Sequence, residues 1–194
     1  MDNLNFTRLM TAKIIHDLAS PLGAIGMSVE LVNDVEVRSI LEKSYFLCDF
    51  KLKFYRLMFS TSESGPNMQE AIALLNSFAL HQGIDLNWHN TLDNIGELTV
   101  NSAFMLIGFV YLCLEMLIRG GNFSVEMTDD RLFLKASGPI CKVRANQRKI
   151  LMKENAEMPD ARNIFVYFLM HLADDLARKV KLNEEDCAIS LCIE

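Results

Sequence analysis

No two cysteines in this chain form a CxxC pair: Cys48, Cys113, Cys141, Cys187 and Cys192 stand singly in apolar or strand-like segments. None has a histidine at ligand spacing, which argues against a zinc module. An odd cysteine count with no signal peptide fits a reducing compartment, so a cytoplasmic protein is expected. Basic charge is also scarce. Nineteen Lys and Arg against 25 Asp and Glu give a formal net charge of -6, which argues against a nucleic-acid scaffold while leaving room for a local basic patch. Long apolar runs are missing as well. Ala103 to Ile118 is the one stretch to weigh as a membrane span; it is too short, carries Glu115, and reads better as a buried helix. There is no internal repeat and no low-complexity tract. What the chain does have is core material: 51% hydrophobic and 23% charged residues over 194 positions, enough for one large or two small ordered domains.

Apolar residues recur with helical spacing from about Leu4 to Asn33, where Leu18, Leu22, Ile25, Val29 and Val32 form a heptad-like seam. Asn33-Asp34 reads as a tight turn with Asp34 as N-cap. A second helix is expected from about Glu36 to Phe59, with Val37, Leu41, Cys48, Leu52, Tyr55 and Phe59 on one stripe and Ile40, Leu47, Phe54 and Leu57 widening it. This apolar surface is too broad for one αα-hairpin to cover, and two hairpins in a two-fold four-helix bundle would cover it. Ser60-Thr61-Ser62-Glu63-Ser64-Gly65-Pro66 is the linker signal, dividing a helical hairpin (1–62) from an α/β remainder (67–194). In that remainder helices are expected near 67–82, 101–119, 143–154 and 161–179, the second closed by Gly120-Gly121. Strands are expected near 85–90, 122–127, 131–136 and 187–193, with Thr128-Asp129-Asp130 as a hairpin turn. The fold class is α+β, with helices on one face of a small mixed sheet.

The chemistry-bearing stretch is His16-Asp17-Leu18-Ala19-Ser20-Pro21-Leu22-Gly23-Ala24-Ile25. Stepping two residues back from Leu18 places His16 roughly 160° around the helix, away from the bundle core. Its neighbours on that face are Ala12, Lys13, Ala19, Ser20 and Gly23, mostly small, so a second protein could bring an active site close to the imidazole. A neutral imidazole is a nucleophile whose second nitrogen can donate a hydrogen bond that fixes the tautomer, with Asp17 the candidate acceptor. Lys13, one turn earlier, could neutralise negative charge on a group being transferred to the imidazole. Pro21 removes a backbone donor just beyond and should bend the helix. Set against this, a lone exposed histidine is usually plain surface, Asp17 reads equally as a solvated acid, and Pro21 as a shaper of the helix. His81, His89 and His171 have no second histidine or cysteine at ligand spacing and read as packing or surface ion pairs.

The stretch resembles the H-box of two-component signalling proteins, in which the histidine is phosphorylated. A hairpin with an H-box followed by an α/β domain is the layout of a histidine kinase, but the nucleotide elements of such a kinase are missing. The helix Phe109-Val110-Tyr111-Leu112-Cys113-Leu114-Glu115-Met116-Leu117-Ile118-Arg119-Gly120-Gly121 has no asparagine for magnesium. No Asp-x-Gly-x-Gly occurs, and Lys135-Ala136-Ser137-Gly138-Pro139 stands where that element would be. With these departures the chain looks like the ChpT-type histidine phosphotransferases of alphaproteobacteria. That resemblance implies a homodimeric four-helix bundle and a C-terminal domain like a degenerate histidine-kinase ATPase α/β sandwich that binds no ATP. It implies that His16 accepts phosphate from the receiver aspartate of a hybrid histidine kinase and hands it to response regulators of the cell cycle. Magnesium would be supplied by the receiver, with no cofactor held by this chain, and neither nucleic acid nor membrane would be a partner. Lys53 and Arg56 on the second helix are candidates for further partner contacts or, equally, parts of an ordinary solvated face. The rival readings are a divergent ATP-dependent kinase and a pseudo-kinase module that binds receivers without transfer.

Overall fold

The computed structural model describes residues 3–29, 35–59, 65–89, 95, 98–128, 131–154 and 159–194. The helical spacing of the first third gives two long helices, α1 (Asn3–Val29) and α2 (Val35–Met58), packed side by side as a hairpin. The Asn33-Asp34 turn, most of the expected linker and Asp129-Asp130 lie outside the described residues. Helix α1 is continuous across Pro21. Proline has no amide hydrogen, so the Asp17 carbonyl gains no partner from the residue four positions on.

The inner stripe of α2 is aromatic, and it anchors the hairpin to the rest of the chain. Phe50, Phe54, Tyr55, Leu57 and Met58 are all buried. Phe50 stacks on Phe78 at 4.2 Å between ring centroids, and Phe54 lies 4.1 Å from Tyr111 and edge-on to Phe165 at 5.8 Å. Phe6 of α1 meets Phe168 at 6.1 Å. Burying a large aromatic side chain contributes about 1.5–3 kcal/mol, so this cluster alone can hold the hairpin in place.

Helix α3 (Met68–His81) starts at Asn67, whose side chain accepts from the Gln69 and Glu70 amides at 3.1 and 3.2 Å. Strand β1 (Ile84–His89) leads to α4 (Val100–Met116), capped by Thr99, and then to β2 (Gly121–Met127), which pairs parallel with β1. Strand β3 (Leu132–Ser137) follows, then α5 (Ala145–Leu151), α6 (Ile164–Asp175), β4 (Val180–Glu185) and β5 (Ala188–Ile193). The sheet order is β1-β2-β3-β5-β4, with every pair after the first antiparallel. Alternate residues Phe123, Val125, Leu134, Ala136, Ile189 and Leu191 are buried on one sheet face, as strand periodicity requires when helices cover only that face. The α+β class follows, with α4 as the central buried helix.

Two sequence expectations fail here. The long helix ends at Met116, not Arg119, and the Gly120-Gly121 pair does not stop it. Leu117 and Ile118 already form bridges, to Cys141 and Gly120. The glycines serve backbone crossing: a Cβ on Gly120 would sit 2.5 Å from the Gly83 carbonyl oxygen, and one on Gly121 would sit 2.2 Å from that of Ser137. Secondly, the last helix stops at Asp175, and β4 was not expected at all. Ala177 takes φ 53° without a glycine to announce it. Only Val180 and Leu182 alternate in a strand that ends Asn183-Glu184-Glu185, because an edge strand needs little apolar surface and charge protects it from further pairing.

Gly120→Ala is expected to lower unfolding free energy in urea by about 1–3 kcal/mol, since φ +73° is strained for alanine and the obstructing atom is backbone.

Candidate functional site

His16 lies on the outer side of α1 with its side chain 77% exposed. Ala12, Ala19, Ser20 and Gly23 around it are exposed too, and a Cβ built on Gly23 would meet nothing within 4 Å. The imidazole therefore stands on open ground, with small side chains at Ala12, Ala19, Ser20 and Gly23. This agrees with the face assigned to it from helical geometry.

Asp17 points the other way. Its side chain is only 9% exposed, because one step along the helix turns it toward α2. Three donors converge on Oδ2: the Lys13 ammonium at 2.6 Å, the Tyr55 hydroxyl, and the Lys51 ammonium at 3.5 Å. The other oxygen, Oδ1, is 3.4 Å from His16 Nδ1, long for a hydrogen bond but aimed at the ring. Lys51 in turn donates to Glu115 Oε1 at 2.8 Å and to the Tyr111 hydroxyl, with its nitrogen 4.7 Å from the Tyr111 ring centroid. Tyr111 donates to the same Glu115 oxygen at 2.5 Å. Two ammonium and two carboxylate groups from α1, α2 and α4 thus form one charge-balanced cluster beneath the histidine.

The electrostatics follow from that balance. Burial alone would raise the Asp17 carboxyl, but the Lys51 charge and the hydrogen bonds from Lys13 and Tyr55 hold it below its ordinary value. Glu115 is likewise lowered: burial opposes, and Lys51, by charge and hydrogen bond, prevails with help from Tyr111 and Lys13. Burial and the adjoining carboxylates push both the Tyr55 and Tyr111 phenols up, so each stays a neutral donor. Among the described residues no buried side-chain nitrogen or oxygen lacks a partner.

The residues singled out from sequence are distributed unevenly around this site. Lys13 reaches inward to Asp17, with 13% of its side chain exposed. Ser20 is exposed on the His16 face. Lys53 pairs with Asp49 at 2.7 Å on the outside of α2, and Arg56 crosses to Glu70 of α3 at 3.1 Å. His81 stacks on Phe46 at 3.8 Å and His171 lies edge-on to Tyr167 at 4.6 Å. Among the described residues no three His, Cys, Asp or Glu gather as a metal site, and no helix is long and apolar enough to cross a membrane. Sequence reading missed Lys51, Tyr55, Tyr111 and Glu115 as parts of the site. A signal existed: Glu115 is the one charged residue of α4, with Tyr111 one turn before it.

Because both carboxyls have lower pKa values folded than unfolded, they contribute stability that is complete above the ordinary carboxylate range, about 4. That stability is lost as pH falls from there through the depressed folded values. Chemical denaturation across the acid range should show a stability loss in this window that is smaller in Asp17→Asn; equal loss in both proteins would contradict the assignment.

Residues 68–187 match the family model described as histidine phosphotransferase C-terminal domain. Over 192 residues the chain is 21% identical to the protein phosphotransferase ChpT of Brucella abortus (strain 2308), covering 93% of this chain and 90% of that one. A solved structure of a bacterial phosphotransferase is similar with TM-score 0.83 and 20% identity, over 100% of this chain and 98% of that chain, and so shares its fold. Since the matched segment takes in more than half of the residues, this chain belongs to the histidine phosphotransferase C-terminal domain family.

Proposed function

We propose that this protein relays a phosphoryl group through His16, from the receiver aspartate of a hybrid histidine kinase to the receivers of response regulators, without using ATP. The observation that carries the reading is an exposed imidazole on a small-residue face, directly above an ionised, buried carboxylate. Nδ1 faces Asp17, which leaves Nε2 open to an incoming partner. In the forward step the Nε2 lone pair attacks phosphorus, the bond from phosphorus to the receiver carboxylate oxygen breaks, and that carboxylate leaves. The proton stays on Nδ1, facing Asp17 Oδ1. Phosphoryl transfer passes through a loose transition state, so alignment and charge neutralisation supply most of the rate. The magnesium ion is the receiver's, and the chain itself supplies no cofactor. Family membership supports a phosphotransfer role.

The working form is a homodimer in the cytoplasm. Ile15 and Leu22 on α1, and Tyr45 and Leu52 on α2, are each seven residues apart, with exposures of 62%, 53%, 66% and 59% in the single chain. Apolar residues at heptad spacing on both helices of a hairpin favour burial against a second hairpin. The C-terminal domain, with the outward faces carrying Ala12, Ala19, Gly23, Lys53 and Arg56, would then help select receivers.

Incubating the protein with a phosphorylated receiver domain and no ATP should give acid-labile label, absent from His16→Ala. Failure to label with any receiver tried, or equal labelling of the variant, would overturn the relay. Leu22→Glu is expected to convert the dimer to monomer in analytical ultracentrifugation; an unchanged sedimentation coefficient, or a wild type already monomeric, would count against the bundle.

A further inference from the structure

The cluster beneath His16 contains a group from outside the hairpin, and its placement is specific. All three donors to Asp17 crowd one oxygen, Oδ2, while Oδ1 is left facing His16 Nδ1 at 3.4 Å. The Lys51 ammonium sits 3.5 Å from Asp17 Oδ2 and 2.8 Å from Glu115 Oε1. Glu115 accepts from the Tyr111 hydroxyl at 2.5 Å, one turn away on a helix buried along most of its length. Glu115 thus draws the shared cation closer to itself than to the carboxylate next to the ring. Charge-assisted hydrogen bonds of this kind are the strong ones, and the shorter contact shows which partner dominates.

We propose that Glu115 of α4, acting through Lys51, is a positioning residue for His16: it draws the Lys51 ammonium off Asp17, so that Oδ1 stays free to accept from His16 Nδ1–H and Nε2 is kept as the unprotonated, phosphate-accepting nitrogen. This rests on the relay reading of His16. It gives the C-terminal domain a part in the chemistry, since the residue that sets the tautomer of a histidine on α1 belongs to α4. Without the Glu115 charge, Lys51 moves fully onto Asp17, both oxygens are taken by cations, and the bias toward Nδ1–H is lost. Outer groups that orient a metal-bound histidine contribute about 10- to 100-fold, and an effect on that scale is expected here.

The test uses full-length protein with two readouts. One is the rate of phosphoryl transfer from a phosphorylated receiver; the other is the tautomer of unphosphorylated His16, from the 15N shifts of its ring nitrogens in mildly alkaline buffer. Glu115→Gln is expected to shift the ring toward Nε2–H and to slow transfer at saturating receiver about 10- to 100-fold, with little change in KM. The double variant Glu115→Gln with Lys51→Met, which removes the competing cation together with its counter-charge, is expected to regain most of the Nδ1–H population. Should Glu115→Gln fold poorly, Tyr111→Phe, which loosens Glu115, must shift the tautomer in the same direction. An unchanged tautomer in folded Glu115→Gln, or a double variant that shows no recovery, would overturn the proposal. If the wild type accepts no phosphate, the relay reading fails separately, and the tautomer shift still decides whether Glu115 positions the ring.

Discussion

Lys51 is the group on which this structure turns. It lies between two carboxylates that are 98 residues apart in the sequence, Asp17 of the hairpin and Glu115 of the central helix. Both carboxylates are held below their ordinary pKa against the cost of burial, and the Lys51 charge is the largest favourable contribution at each. Lys13 completes the neutrality, and two tyrosines fill the remaining hydrogen-bonding positions. Such a cluster adds little net stability over a well-packed apolar core, because desolvation offsets most of the Coulombic attraction. What it adds is geometric definition: the charges satisfy one another in one register of α1, α2 and α4.

The aromatic stripe of α2 makes this register affordable. Phe50 and Phe54 pack on Phe78, Tyr111 and Phe165, so apolar burial docks the hairpin and places Lys51, one residue from Phe50, opposite Glu115. Tyr111 belongs to both systems, its ring in the aromatic cluster and its hydroxyl on Glu115. On the far side of α1 nothing comparable is built. His16 stands exposed beside Ala12, Ala19, Ser20 and Gly23.

Much of the fold could be read from the chain. The helical spacing around Leu18 and around Leu41 announced the hairpin, and the strands expected at 122–127 and 131–136 are found as Gly121–Met127 and Leu132–Ser137. What escaped reading had weak local signals. β4 is a charged edge strand with two apolar residues, and the turn into it uses Ala177 at positive φ where a glycine would have marked it. The glycines at 120 and 121 looked like a helix stop because that is the commonest use of such a pair. Their use here, to let three backbone segments cross, depends on Gly83 and Ser137, which are far away in sequence.

The sequence by itself determined which face presents His16, because that depends on spacing within one helix: His16 falls opposite the Leu18 seam, beside Ala12, Ala19, Ser20 and Gly23. It also carried the family likeness, which the match over residues 68–187 bears out. Tertiary structure alone decided the company Asp17 keeps. Lys51 and Tyr55 come from α2 and Glu115 and Tyr111 from α4, linked by contacts that span 34 to 64 residues of sequence. No local pattern encodes such a meeting; it follows from apolar docking of three helices, and burial then requires every charge at the junction to find its opposite.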